Sequence, residues 1–317
     1  MTVKERYINP FTDFGFKKLF GTEPNKDLLI DFLNEVILPK QRKISDLSYR
    51  KNEYMGETEM DRKAIFDLYC VGANDERFIV EMQKAKQNYF KDRSVFYSTF
   101  PIQEQAQKGD WDYKLAEVYT VGVLDFAFSD DGEKGTVKEK KNKKKDNSSP
   151  REVRHEVKLK DQNCKVFYDK LTLIYLEMPH FTKTEDELET SFDKWLYVLK
   201  NLPNLPDRPK KLQERIFQRL FDAAEIARFS PEEKEQYEDS LKTYRDLKNV
   251  IQTAFEEGQQ EGEIRGEIKG EIKGKLETKT QAIIKVLKRG KLSVEEIAED
   301  FDETIEFVLQ IKKEHNL

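Results

Sequence analysis

KAIFDLYCVGANDERFIVEMQK, residues 63–84, is two apolar runs around the polar loop Gly72–Glu76. Folded as a hairpin on that five-residue loop, it sets Val71 across from Arg77. The same register carries Asp67 opposite Glu81, where facing Cβ atoms lie roughly 5 Å apart. Side chains alternate with period 2, so Gln83 shares the carboxylate face with Ile65, Tyr69 and Ile79. The other face, Ala64, Phe66, Leu68 and Cys70 against Phe78, Val80 and Met82, is wholly apolar. Two carboxylates this close in a low dielectric repel strongly unless something neutralises them. A proton, a Lys or Arg, or a divalent cation meets that need, and oxygen ligands suit Mg²⁺ or Mn²⁺. An Asp67 at a sheet edge and a Glu81 paired with a Lys fit the same spacing.

Upstream, Thr12 or Asp13 is placed to cap a short helix carrying Phe14, Phe16, Leu19 and Phe20, closed by Gly21. Lys26–Ile37 repeats apolar residues at helical spacing and ends before Pro39. Ile44–Tyr54 is a weak extended segment; Ala64–Val71 and Phe78–Gln83 are stronger. Downstream, Asp92–Lys108 reads as a helix kinked at Pro101, and Tyr119–Phe128 as a strand buried on both faces. Residues 129–150 are polar, mostly basic and low in complexity, a solvated loop or hairpin tip. Arg151–Leu159 and Leu171–Leu176 resume strand character. Glu185–Leu199, Lys210–Phe229 and a long stretch from Pro231 past residue 255 are helical. The expected fold class is α/β, a small mixed sheet flanked by helices with a helical C-terminal extension.

The chain has 317 residues, enough for one large domain with an appendage or two small domains. Charged residues make up 37%, yet 56 Lys+Arg against 61 Asp+Glu leave a net charge of only −5. Bulk charge therefore does not make this a nucleic-acid coat, while a local basic patch stays open. Twenty-one Phe and 13 Tyr supply a core and argue against wholesale disorder. Two cysteines, Cys70 and Cys164, exclude a disulfide framework and a four-thiolate zinc site. His155, His180 and His315 are too scattered in sequence for a His-rich metal site. No run of 18 apolar residues and no apolar N-terminal stretch is present. The expectation is a cytoplasmic protein with no membrane partner.

With those residues in view, the first half resembles the recombination-promoting nucleases and PD-(D/E)XK nuclease family transposases. The likeness is carried by NPFTDFGFKKLFG (9–21), DLLIDFLNEV (27–36), RKAIFDLYCVGANDERFIVEMQ (62–83), FKDRSVFYS (90–98) and a Gly-Glu-Ile-Lys tail. It covers most of residues 5–200. It implies a restriction-endonuclease-like PD-(D/E)XK core, with metal-binding carboxylates at Asp67 and Glu81 and the Met82 carbonyl as a further ligand. Gln83 stands where the usual motif has Lys. Glutamine carries no charge and takes no proton as an amine does, but it orients water by hydrogen bonds. Lys63, four residues before Asp67 and of the same strand parity, is the nearest displaced lysine; a solvated strand-end lysine is the alternative. Asp13 and Lys17 match the family's N-terminal motif. They are i, i+4 on a helix and can pair, either bordering the active site or serving as cap and salt bridge. Arg93 matches the Arg that follows the motif strand, to hold a phosphate or to buttress Glu81.

The resemblance implies a metal-dependent DNA endonuclease of the recombination-promoting, transposase-like type. Mg²⁺, or Mn²⁺, would activate a water against a phosphodiester. A catalytically inactive nuclease fold serving as a DNA-binding or oligomeric assembly module is the alternative, and RNA is a further substrate class. The expected domains are a nuclease-like 1–230, a long charged helix with Gly-x-x-x repeats at 231–279, and a small helical hairpin at 280–317. Lys134–Lys145 has seven Lys in twelve residues, among them Lys141, Lys143 and Lys144. This loop either tracks a DNA backbone with salt-sensitive affinity or is merely solvated.

Between Gly262 and Gly274 the pattern Gly-Glu-Ile-(Arg/Lys) runs three times. Rows of period 4 drift by about 40° per repeat on a 3.6-residue helix. Each interior Gly costs about 0.8–1 kcal/mol in helicity, so an isolated helix here is weak. Glu267 and Lys269, two apart, do not face each other; such charges suit a partner helix. The segment is expected to make the chain a homo-oligomer, with a flexible charged linker as the alternative. LSVEEIAEDFDETIEFVL (292–309) has the outline of a helix-turn-helix. Its would-be recognition helix opens on Asp302, Glu303 and Thr304 and continues with Glu306, which repels phosphates. A hairpin that packs or dimerises is expected.

Overall fold

The computed structural model describes residues 5–37, 43–51, 53–54, 64–106, 109–128 and 152–317. In chain order the elements are α1 (Asp13–Phe20), α2 (Lys26–Val36), β1 (Leu47–Tyr49), β2 (Glu53–Tyr54), β3 (Ala64–Ile65), β4 (Leu68–Gly72), β5 (Arg77–Gln83), α3 (Phe90–Gln103) and β6 (Val118–Leu124). There follow β7 (Arg154–Lys160), β8 (Val166–Glu177), α4 (Ser191–Asn201), α5 (Arg215–Ala224), α6 (Pro231–Arg289), α7 (Val294–Asp300) and α8 (Ile305–Glu314). The chain divides into two compact units, Met1–Lys248 and Asn249–Leu317.

The first unit is built on a six-stranded sheet ordered β1-β4-β5-β6-β8-β7; β2 and β3 pair separately. β5, β6 and β8 are parallel, and β1, β4 and β7 join antiparallel at the two sides. A strand between two parallel neighbours is buried on both faces, and that is where the apolar run of β6 lies. On one face Phe78, Val80 and Met82 align with Val121, Val123, Ile174 and Leu176 in one core with α1, α2, α4 and α5. The aromatic centre of that core is Phe20, Phe32, Trp195 and Phe217, ring against ring. On the other face α3 lays Phe90, Tyr97 and Phe100 over the sheet. The mixed sheet flanked by helices is the expected α/β fold.

The hairpin keeps the expected register, Val71 opposite Arg77 and Leu68 opposite Val80. One residue departs from the expected faces. The chain bends between β3 and β4, and Phe66 packs with Tyr69, Ile79 and Phe100 under α3 instead of joining Leu68 and Cys70. Period-2 alternation holds only while the backbone stays extended. The helix expected to reach Lys108 ends at Gln103, just past Pro101, whose ring removes a backbone donor.

Helix α1 is fixed by its entry. The Thr12 hydroxyl accepts from the Gly15 N–H at 2.9 Å and donates to the Asn9 carbonyl at 2.8 Å. The chain crosses itself so closely here that a Cβ on Gly15 would lie 2.1 Å from the Asn9 oxygen. The start of α6 is tied to the same corner: Asn9 N–H donates to the Tyr237 hydroxyl and Phe14 N–H to the Ser240 hydroxyl.

In the second unit Ile283, Ile284, Ile297, Ala298, Val308 and Ile311 form a small core. Ser293 and Glu296 make a reciprocal capping box at the start of α7. Among the described residues no helix is long and apolar enough to cross a membrane.

Replacing Gly15 by Ala should destabilise the fold by about 1–3 kcal/mol, the usual range for overpacking. Denaturant unfolding checks this; an unchanged midpoint would show that the Asn9–Gly15 approach is not a constraint.

Candidate active site

The ladder between β4 and β5 stops at Leu68 opposite Val80. One residue earlier a side chain takes over: the Met82 N–H donates to Asp67 Oδ2 at 2.7 Å. Strand alternation explains the geometry. The Arg77 N–H reaches the Glu117 carbonyl and the Asp125 N–H reaches the Gln83 carbonyl, so odd-numbered peptides of β5 serve β6. Even-numbered Met82 faces the β4 side, where the strand has already bent away. Asp67 supplies the missing acceptor, and its own N–H donates to Glu81 Oε1 at 3.3 Å.

From Glu81 the network runs to α3. Gln83 Nε2 donates to Glu81 Oε2 at 3.0 Å, and Arg93 Nη2 donates to Gln83 Oε1 at 2.7 Å. The partners dictate the amide's orientation, since a flipped Gln83 would set its NH₂ against the guanidinium. Arg93 also donates to Gln87 Oε1. Its guanidinium carbon lies 5.7 Å from the ring centres of Phe90 and of Tyr97. Arg93 thus supports Glu81 through Gln83.

The electrostatics are costly. Burial pushes the Glu81 carboxyl up to about 8; the Asp67 charge adds to this, and Arg93 and the Gln83 hydrogen bond oppose it. Burial also raises Asp67, against the Met82 N–H bond; Asp13 reinforces the rise while Lys17 and Lys84 counter it. Among the described residues both carboxylates are bonded to peptide N–H groups and an amide, not to Lys or Arg. Among the described residues no lysine is bonded to Glu81.

The donor set suits a hard cation. Asp67 and Glu81 offer carboxylate oxygens, and the Met82 peptide lies on the Asp67 side of β5. Among the described residues no group of three His, Cys, Asp or Glu side chains is placed to hold a metal. Two carboxylates, a main-chain oxygen and waters suit Mg²⁺, which keeps much of its hydration. Beside Asp67 opens a cleft of about 720 Å³, walled by Asp13 and Lys17 of α1, Tyr49 of β1 and Glu233 and Asp239 of α6. Asp13 and Lys17 are ion-paired at 3.0 Å on its rim. A second cavity, about 480 Å³ between Asn9, Asp125, Lys200 and Tyr244, contains neither carboxylate.

A family model described as PD-(D/E)XK nuclease family transposase matches residues 10–254. The chain belongs to this family. Neither the curated proteins nor the solved structures contain a match to it. Membership brings a nuclease-type function.

Asp67, Glu81, Met82, Gln83 and Arg93 therefore meet in one network, with Asp13 and Lys17 bordering the adjoining cleft. Lys63, Lys141, Lys143 and Lys144 lie outside the described residues. Sequence reasoning passed over Lys84, the residue after Gln83, whose charge reaches Asp67; its adjacency to the motif was the available signal. It also missed Glu177. Buried at the end of β8, Glu177 is flanked by His155 Nε2 at 3.3 Å and His180 Nδ1 at 2.9 Å. Pairing of β7 with β8 joins two histidines that the sequence separates.

In EDTA the carboxylate pair should make the protein less stable as pH rises from about 5 to about 8. Folded Glu81 keeps its proton to higher pH than the unfolded side chain, so its contribution is full at low pH and is lost through that window. Asp67→Asn removes the repelling charge and should flatten this slope, read by urea unfolding across the pH series. An equal or steeper loss in the variant would contradict the coupling.

Proposed function

We propose that this chain is a metal-dependent DNA endonuclease of the transposase-like type, with Asp67 and Glu81 as its metal-binding carboxylates. The observation that carries the reading is this pair: two interacting acids, both raised by burial, with no cationic side chain bonded to either among the described residues. A fold that keeps such a pair at a cost in stability holds it for a positive ligand.

Asp67 and Glu81, with the Met82 carbonyl, would hold Mg²⁺ or Mn²⁺. When bound, such a cation offsets the carboxylate charges and acidifies a water towards neutral pH for attack on a phosphodiester. The rest falls to the chain. Glu81 must give up its proton before it can serve as a ligand. Gln83 has its Nε2 on Glu81 and its Oε1 on Arg93, so it positions Glu81 and carries no proton. Lys17 and Lys84 bring positive charge near Asp67, where a nucleic-acid phosphate would approach. Lys141, Lys143 and Lys144 are further contacts to the nucleic-acid backbone, and the repeat helix of α6 is the self-association element.

Plasmid nicking tests this. Cleavage should need Mg²⁺ or Mn²⁺, stop in EDTA, and fall by about a thousandfold or more in Asp67→Ala and Glu81→Ala. Full activity in either variant would remove the assignment. Gln83→Lys, which restores the usual motif residue, should lower activity because its ammonium would face Arg93. A gain would show that Gln83 merely replaces a lysine. A single-stranded RNA substrate in parallel separates the two nucleic acids.

A further inference from the structure

Ile264, Ile268 and Ile272 are about half exposed, at 50%, 52% and 62%, on a stretch of α6 whose residues are exposed on every side. On a helix of about 100° per residue they form one ridge of i, i+4 neighbours. The charges beside that ridge are sorted. Glu263, Glu267 and Glu271 fall about 60–100° to one side of the nearest isoleucines. Arg265, Lys269 and Lys273 fall as far to the other side. The apolar ridge therefore runs between an acidic row and a basic row.

Within one helix this arrangement is unfavourable. Each row sets like charges at i, i+4, which repel. The ion pairs that these rows make within the helix lie at their ends, Arg265 with Glu261, Glu271 with Lys275 and Lys273 with Glu277. Among the described residues Glu267 and Lys269, in the middle, have no ion-pair partner. A second helix seated on the ridge can supply both missing rows, and symmetry dictates its direction. With two copies side by side and parallel, the two-fold axis lies along the helices. It carries the acidic row of one copy across to the basic row of the other. With two antiparallel copies the axis is perpendicular, and acid meets acid. Flanking charges of this kind set orientation in coiled coils.

We infer that the occupant of this face is a second copy of the same chain, docked parallel and in register through Ile264, Ile268 and Ile272. The four-residue period matches i±4 ridge packing, whose helices cross at roughly −50°, so the contact is short and centred on Ile268. Its orientation rests on the self-association proposed for the repeat helix and is independent of the cleavage chemistry.

Sedimentation equilibrium on the full-length chain tests the pairing. The wild type should dimerise. Glu263→Lys/Glu267→Lys/Glu271→Lys and Arg265→Glu/Lys269→Glu/Lys273→Glu should each self-associate at least about tenfold more weakly, and a mixture of the two should restore dimers. In a Cys164→Ser background, Ile264→Cys and Ile272→Cys should each form a disulfide with its own copy. A monomeric wild type would overturn self-association itself. A dimer in which Ile264→Cys links only to Ile272→Cys, or in which the mixture stays monomeric, would overturn the parallel orientation alone.

Discussion

The hydrogen bond from the Met82 N–H to the Asp67 carboxylate is the contact on which the site depends. A β-ladder normally ends where a strand runs out of backbone partners. Here it ends one residue early, and an ionisable side chain completes it. Asp67 is thereby fixed beside Glu81, and the Asp67 N–H is turned towards that second carboxylate. A strand pair without the bend would have paired Met82 with main chain and left Asp67 free to swing into solvent.

Everything packed around this bond makes it more demanding. The parallel strands β5, β6 and β8 keep Glu81 away from water, and α3 covers its face of the sheet with aromatic rings. Arg93 offsets part of the rise at Glu81, yet its guanidinium donates to Gln83 and Gln87. The site holds acids that repel and leaves a 720 Å³ cleft open beside one of them. Stability is given up locally and recovered in the Phe20–Phe32–Trp195–Phe217 core on the opposite face.

The hairpin was legible in the sequence because a polar loop between two apolar runs permits few registers, and the carboxylate pairing follows from the register alone. The helices of the large core were legible through their spacing. The bend at Phe66 was not, because alternation cannot announce where a strand stops being straight. Nor was the Arg93–Gln83 contact: two residues ten apart meet only when the helix after β5 turns back over the sheet with the right rotation. The wall of the cleft needed Glu233 and Asp239 brought back more than 160 residues to Asp67, and no local pattern encodes that. Glu177 with its two histidines needed the β7–β8 pairing. What escaped the sequence is in each case a relation between elements.

In the proposed cation site, binding at Asp67 and Glu81 must displace the proton that burial favours on Glu81. Calorimetric titration with Mn²⁺ in two buffers of different ionisation enthalpy measures it directly. At pH 6–7 binding should release close to one proton, with affinity rising as pH rises, and both effects should vanish in Glu81→Ala. Mn²⁺ binding without proton release across that range, or undiminished binding in Glu81→Ala, would rule out a cation shared by these two carboxylates.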